Sequence, residues 1–250
     1  MEITLLGTGT AIPVTQHSPS GLIVKAGGEC LLVDIGPGTL GRLHLAGVKY
    51  DQIDHLLLSH LHPDHTLDLA TLMLIFNYAP GAERTTPFHI IACQGFEDFF
   101  NRMVNLYPEI APISFALETR QVFREEFSIG GLKIHCAPTG HTSNSVAYRV
   151  EDGSHVMVYS GDAAPSGELG QLARNADVLV CECSFPAGWQ SDDHLNADTI
   201  GEIAQQAQVK SLVVVHSYPP ALAVDLASQI RNCYQGEVRL AFDGMRILLS

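Results

Sequence analysis

Short apolar runs recur along the chain, separated by Gly, Pro, Asn and Asp punctuation, and their alternation fixes most of the expected elements. Ile3 to Leu6, Leu22 to Lys25 and Cys30 to Asp34 read as opening strands, joined by turns at Gly7-Thr8-Gly9-Thr10 and Gly27-Gly28. Ile53 with Leu56 to Leu58 reads as the next strand, then Phe88 to Ala92, Leu132 to Ala137, Val146 to Val150, Val156 to Ser160, Val178 to Cys183 and Leu212 to Val215. Helical spacing covers Thr39 to Ala46, Thr66 to Tyr78, Phe96 to Leu106, Ala197 to Ala207 and Ala221 to Asn232. Two similar halves emerge, each strand-rich and then helical. Periodicity alone specifies α/β or α+β and nothing finer.

The densest chemistry lies where the Ile53 to Leu58 strand meets the Thr66 helix. Leu58-Ser59-His60-Leu61-His62-Pro63-Asp64-His65 brings three imidazoles and a carboxylate together on one strand-to-helix turn. Residues two apart in extended chain point to the same side, which aims His60 and His62 at one ion. Asp64 and His65, past the turn, can face a second. Imidazole nitrogen and carboxylate oxygen suit zinc, and three protein ligands per ion leave a position for water, as a catalytic site requires.

This His-x-His-x-Asp-His spacing resembles the metallo-β-lactamase superfamily, whose pattern also needs a His, an Asp and a His in that order, each at a strand end. His141 follows Leu132 to Ala137, Asp162 follows Val156 to Ser160, and His216 ends Leu212 to Val215. The resemblance implies that His60, His62 and His141 hold one ion, Asp64, His65 and His216 a second, and that Asp162 bridges both. It also implies a four-layered αββα sandwich. Because the ligands run from His60 to His216, residues 1–250 are expected to form a single domain.

Within the superfamily, Gly7-Thr8-Gly9-Thr10-Ala11-Ile12-Pro13 and Val33-Asp34-Ile35-Gly36-Pro37-Gly38-Thr39 look like the corresponding stretches of ribonuclease Z and its relatives. So does Cys181-Glu182-Cys183-Ser184-Phe185, followed by His194 ahead of a helix. The resemblance places Glu182 and His194 in the catalytic neighbourhood, with His194 protonating the leaving oxygen. One departure matters: the short ribonuclease Z enzymes insert a transfer RNA-gripping arm between the residues matching His141 and Asp162. Here Thr142 to Ser160 is already committed to two strands and the turn Asp152-Gly153, and Ser217-Tyr218-Pro219-Pro220 also differs from that group.

Charge points the same way. With 27 acidic against 14 basic residues the formal charge is −13, which disfavours a long polyanionic partner held by phosphate contacts. Transfer RNA is therefore a doubtful substrate, and a small-molecule or short nucleotide phosphodiester fits better. The six cysteines lie mostly in apolar runs and form no Cys-x-x-Cys pair, as expected of reduced thiols in a cytoplasmic protein. The start of the chain lacks a basic leader pattern, and no window approaches the ~20 apolar residues of a membrane span. A homodimer stays open.

These features together lead to the expectation of a dinuclear metal-dependent hydrolase, with zinc the first expectation and manganese or iron as alternatives. A hydroxide bridging two ions would serve as nucleophile, Asp64 would ligate and orient it, and protonated His194, positioned by Glu182, would act as general acid. A phosphodiester gains most, since its alkoxide leaving group needs the proton. The alternatives are a lactonase or a glyoxalase II-type thioesterase, a 3′-processing endoribonuclease on transfer RNA, and a non-catalytic metal-bound sensor. His44, His55, His89, His135 and His155 read as structural or surface residues. His17, in a loop, is open to a substrate role, and Phe185 and Trp189 read either as lining the pocket mouth or stacking on a base, or equally as core packing for Phe185 and an incidental surface position for Trp189.

Overall fold

The computed structural model describes residues 1–81, 83–165 and 167–250. Fourteen strands and eight α-helices are found among them. In the first half, β1 (Glu2–Gly7), β2 (Gly21–Ala26) and β3 (Glu29–Val33) are followed by α1 (Thr39–Leu45), β4 (His55–Leu58), α2 (Pro63–Thr66), α3 (Asp68–Tyr78), β5 (Phe88–Cys93), α4 (Phe96–Leu106) and β6 (Leu117–Val122). The second half contains β7 (Glu125–Ile129), β8 (Leu132–Pro138), β9 (Val146–Glu151), β10 (Val156–Tyr159), α5 (Gly167–Leu172), β11 (Val178–Glu182), α6 (Ala197–Gln206), β12 (Ser211–Val215), α7 (Pro219–Leu222), α8 (Leu226–Arg231), β13 (Glu237–Leu240) and β14 (Arg246–Leu248). The strands form two seven-stranded mixed sheets, ordered β14-β1-β2-β3-β4-β5-β6 and β13-β12-β11-β10-β9-β8-β7.

The apolar runs are continuous because the central strands are covered on both faces. In β4, Leu57 points into the core between the sheets, whereas Leu56 and Leu58 point out to the helices of the first half. In β11, Val178 and Val180 face the inter-sheet core while Leu179 and Cys181 pack outward under α6 and α8. Three buried layers of side chains thus separate helix, sheet, sheet and helix, which is the expected αββα sandwich.

Three differences from the sequence reading have local causes. The Thr66 to Tyr78 helix begins earlier, at Pro63, where proline suits a first helical turn, and is divided at Leu67. The single helix expected over Ala221 to Asn232 is two: Pro219 and Pro220 open the first, and Asp225 starts the second by accepting the Ser228 N–H at 2.9 Å. The strands β6, β7, β13 and β14, not anticipated at all, are the four sheet edges, where polar residues such as Glu118, Arg120, Glu125 and Arg246 replace the apolar run. Among the described residues, no helix is long and apolar enough to cross a membrane.

Parallel pairing of β3–β4–β5–β6 and of β10–β11–β12–β13 sends the carboxyl ends of β3, β4, β10, β11 and β12 toward one rim. Open α/β sheets bind ligands at such ends. Between His141 and Asp162 the chain is spent on β9, the turn to His155 and β10, so this span holds no arm.

Candidate metal centre

Each of the seven residues read as metal ligands in the sequence follows the end of a strand at that rim. His60, His62, Asp64 and His65 follow β4, His141 lies in the loop between β8 and β9, Asp162 follows β10, and His216 follows β12. They fall into two sets whose ligand atoms lie within 4.8 Å of one another: His60, His62, His141 and Asp162, then Asp64, His65 and His216. The Asp162 carboxylate stands between them. Its Oδ2 is 3.7 Å from His60 Nε2 and 3.6 Å from His141 Nε2, while Oδ1 is 3.3 Å from His65 Nε2 and 3.4 Å from His216 Nε2. His216 Nε2 also lies 3.4 Å from Asp64 Oδ2, and His62 Nδ1 lies 3.2 Å from His141 Nε2.

The far side of each ring decides which nitrogen keeps its lone pair. His65 Nδ1 donates to Asp34 Oδ2 at 2.7 Å, and His141 Nδ1 donates to the Asp193 carbonyl at 2.8 Å. The Ser59 hydroxyl gives its proton to Asp34 Oδ2 at 2.8 Å, so it accepts from His60 Nδ1 at 3.0 Å. Nε2 of His60, His65 and His141 is therefore unprotonated when each ring is neutral, and points inward. Among the described residues, His60 Nε2, His65 Nε2 and Asp162 Oδ1 are buried with no hydrogen-bond partner. Orphaned polar atoms in both ligand sets would be costly on their own, and divalent cations held by the two sets would satisfy them. The donor set fits a metal.

Electrostatics agree. Burial pushes the Asp162 carboxyl up, but His216 and His65 reverse this and hold it well below the usual carboxylate range. Burial likewise opposes ionisation of Asp64, and its hydrogen bond to His216 overcomes this to bring it to about 2. His60 is driven the other way, well below the ordinary histidine value, by burial and then by the neighbouring His65. Two carboxylates that stay ionised beside an imidazole that resists protonation form an environment suited to cations.

The backbone strains to achieve this. Asp34 and His216 both adopt left-handed φ, 54° and 53°, at the ends of β3 and β12, and the His216 N–H is fixed on the Thr8 carbonyl at 2.7 Å. Gly161, at φ 57°, brings Asp162 beneath β4 where a Cβ would sit 2.6 Å from that of Ser59. A Cβ on Gly36 would lie 2.0 Å from the Asp64 carbonyl oxygen, so that glycine permits the close pass of the ligand turn.

Glu182 and His194 form a second layer on the Asp162 and His216 side. His194 Nδ1 donates to Glu182 Oε1 at 2.9 Å, and Glu182 is fully buried, accepting also from the Ala163 N–H at 2.7 Å and the Ser184 hydroxyl at 2.6 Å. Burial would lower the His194 pKa, but the Glu182 hydrogen bond and charge raise it to about 9. His194 lies within ligand-atom reach of Asp162 and His216, and its ring centroid is 4.6 Å from that of His141.

Residues 15–216 match the model of the metallo-beta-lactamase superfamily. The chain belongs to that superfamily. It is 26% identical to "Probable metallo-hydrolase YhfI" of Bacillus subtilis over 98% of both sequences, and 29% identical to ribonuclease Z of Mycobacterium sp. strain KMS over 99% of this chain and 95% of that one. Crystal structures share the fold: YhfI at 25% identity with a TM-score of 0.85 over 98% of both chains, and the short form of human tRNase Z at 23% and 0.81 over the whole of both. The expectation of a hydrolase of the metallo-beta-lactamase superfamily, ribonuclease Z-like in sequence, is borne out.

Sequence reasoning missed several supporting groups. Asp34, quoted only as part of a matching stretch, is a fully buried hub that also receives the Tyr159 hydroxyl at 2.8 Å and the Ser59 N–H at 2.8 Å. A lone acid between Val33 and Ile35 is the signal that could have exposed it, because a buried carboxylate must find donors. Ser184 and the Asp193 carbonyl had no such signal. His17 donates from Nδ1 to Thr8 Oγ1 at 2.8 Å, since that hydroxyl gives its own proton to Asp243. Cys181 and Cys183 are buried, belong to neither ligand set, and have thiols that burial pushes well up from the ordinary value.

Proposed function

We propose that the chain, residues 1–250 acting as one domain, is a dinuclear, zinc-dependent phosphodiesterase for small or short nucleotide substrates. His60, His62 and His141 would hold one ion and Asp64, His65 and His216 the other, with Asp162 shared. The paired approach of its two oxygens to opposite histidine pairs supports the bridging role. Bound there, divalent ions supply Lewis acidity, which activates water at neutral pH and neutralises charge on the attacked phosphoryl group.

The observation that carries the phosphodiester reading is the His194–Glu182 pair. With Nδ1 committed to Glu182, the His194 Nε2 is the atom left to hold a proton, and Asp162 and His216 lie within reach of the ring. A proton held beside the reacting centre serves an alkoxide leaving group, whereas a thiolate or an activated ester leaves without one. Glu182 positions the imidazole and favours its charged form, and Asp64 orients the nucleophile. A side-by-side assay of metal-loaded protein on an alkyl phosphodiester, a lactone and a thioester tests the reading. Preference for either ester by more than about tenfold in kcat/KM would replace it with a lactonase or thioesterase.

The ribonuclease Z relatives favour a second reading, transfer RNA processing. Against it stand the span between His141 and Asp162, which holds only β9, β10 and their turn, and the −13 charge. Filter binding of transfer RNA at two salt concentrations separates the two. Weak binding without a steep salt slope is expected, and tight, salt-sensitive binding with 3′-trailer cleavage would restore the RNA reading.

A further inference from the structure

Between Glu182 and His194 the chain makes an excursion that ends in aromatic rings. Phe185 stacks on Trp189 with centroids 4.9 Å apart and planes 6° apart, and on Tyr218 at 5.6 Å and 11°. The inner end of this ladder meets the proposed acid edge-on: His194 lies 6.2 Å from Phe185 and 5.8 Å from Tyr218. At the outer end, Trp189 is 44% exposed although Phe185 covers one of its faces.

The exposed indole is held by a pinned backbone. The Trp189 carbonyl accepts from Asn196 Nδ2 at 2.6 Å, and the oxygen of the same Asn196 side chain caps α6 by accepting the Thr199 N–H at 2.9 Å. The neighbouring Gly188 N–H donates to Asp198 at 2.8 Å. Core packing would cover this ring, and a tethered aromatic left open at the end of a ladder whose inner rings meet His194 has the form of a stacking platform for a base. From Cys181 to Asn196 there is no Lys or Arg, while Asp192 and Asp193 are both present. A flat, uncharged ring suits that stretch and a further phosphate does not.

We propose that Trp189, backed by Phe185 and Tyr218, stacks the nucleobase of the expelled half of a short nucleotide phosphodiester. The substrate class is then a dinucleotide or similarly short nucleotide ester, one phosphate at the metal ligands and one base on the indole. This rests on the phosphodiester reading above and adds which half of the substrate is recognised.

Trp189 is the only tryptophan in the chain, so intrinsic fluorescence reports on this ring alone. In the metal-loaded protein, adenosine 5′-monophosphate should quench it saturably, and ribose 5-phosphate and inorganic phosphate should not. Turnover is then compared for adenylyl-adenosine and two analogues, each lacking one base. Removing the base on the expelled alcohol should lower kcat/KM by roughly 10- to 100-fold, the range expected for one stacked base. Trp189→Ala should collapse that ratio to near one, and Trp189→Phe should restore most of it. Turnover with a wild-type ratio near one, or equal quenching by ribose 5-phosphate, overturns the platform and leaves the phosphodiester reading standing. Nucleotide-specific quenching without cleavage of any phosphodiester supports the base site and overturns that reading instead.

Discussion

The Asp34 carboxylate receives the Nδ1 proton of His65 at 2.7 Å, both side chains fully buried, and this bond fixes Nε2 of His65 as the atom that faces Asp162. The same carboxylate holds Ser59, through which it orients His60 in the other ligand set. One acid therefore sets the tautomers of two histidines assigned to different ions, and Tyr159, reaching across from β10, ties that acid to the second sheet.

Loss of Asp34 should consequently weaken both metals. Asp34→Asn keeps the shape but replaces one acceptor oxygen with a donor, and metal affinity is expected to fall about 10- to 100-fold, the usual effect of altering an outer partner of a ligating histidine. Competition with a chromophoric chelator measures it. Unchanged affinity would remove Asp34 from the account of the site, and circular dichroism of the variant separates lost affinity from lost fold.

A second prediction concerns stoichiometry. If Asp162 serves both sets, wild-type protein saturates at about two ions per chain, and Asp162→Ala retains one at most while losing nearly all turnover. Elemental analysis after gel filtration decides the point. Saturation of the wild type at a single equivalent is incompatible with the dinuclear assignment.

The central strands were legible from sequence for a physical reason. Leu31 to Val33, Val178 to Cys181 and Leu212 to Val215 are buried on both faces, so their apolar runs are unbroken. The edges are different: β6 contains Glu118, Arg120 and Gln121 among its six residues, a composition that protects an edge and hides a strand. His60, His62, Asp64 and His65 could be found because their spacing is a local feature of one strand end, whereas His141, Asp162 and His216 were picked out through the superfamily resemblance. Ser184 acts through contacts made only after folding and residue type did not mark it, while Asp34 was marked only as an acid inside an apolar run. The αββα layering came from resemblance, since alternation within a strand does not say what covers each face.

The pH response of His194 follows from Glu182. Its raised value, about 9 in the metal-free protein, means that the ion pair contributes stability in full below the ordinary histidine value near 6.5, and that this contribution is lost as pH rises through about 9. In Glu182→Gln the burial remains while that charge is gone, so the imidazole should titrate below the wild-type value of about 9, with Asp162 and Asp193 still opposing the fall. Nuclear magnetic resonance of the imidazole carbons in the metal-free proteins reads both values directly. Metal loading of the wild type should move the value down from 9, because bound cations disfavour a second positive charge. A wild-type imidazole that titrates near 6.5 without metal would show that the 2.9 Å contact does not carry an ion pair.

Removal of His194 distinguishes an acid from a ligand. If His194 protonates the departing alkoxide, His194→Ala should lower turnover of an alkyl phosphodiester by roughly 10²- to 10⁴-fold, the range typical of general acid catalysis, with metal content unchanged. On a nitrophenyl phosphodiester the defect should shrink to a small factor, since nitrophenolate leaves without a proton. Metal content must be measured in parallel, because His194 lies close enough to Asp162 and His216 to serve as a ligand. Equal defects on both esters with both ions retained would assign His194 to orienting the substrate, and loss of an ion would assign it to the metal shell. Only a defect graded by leaving-group basicity, with both ions in place, supports the proton-donor role that the Glu182 pairing suggests.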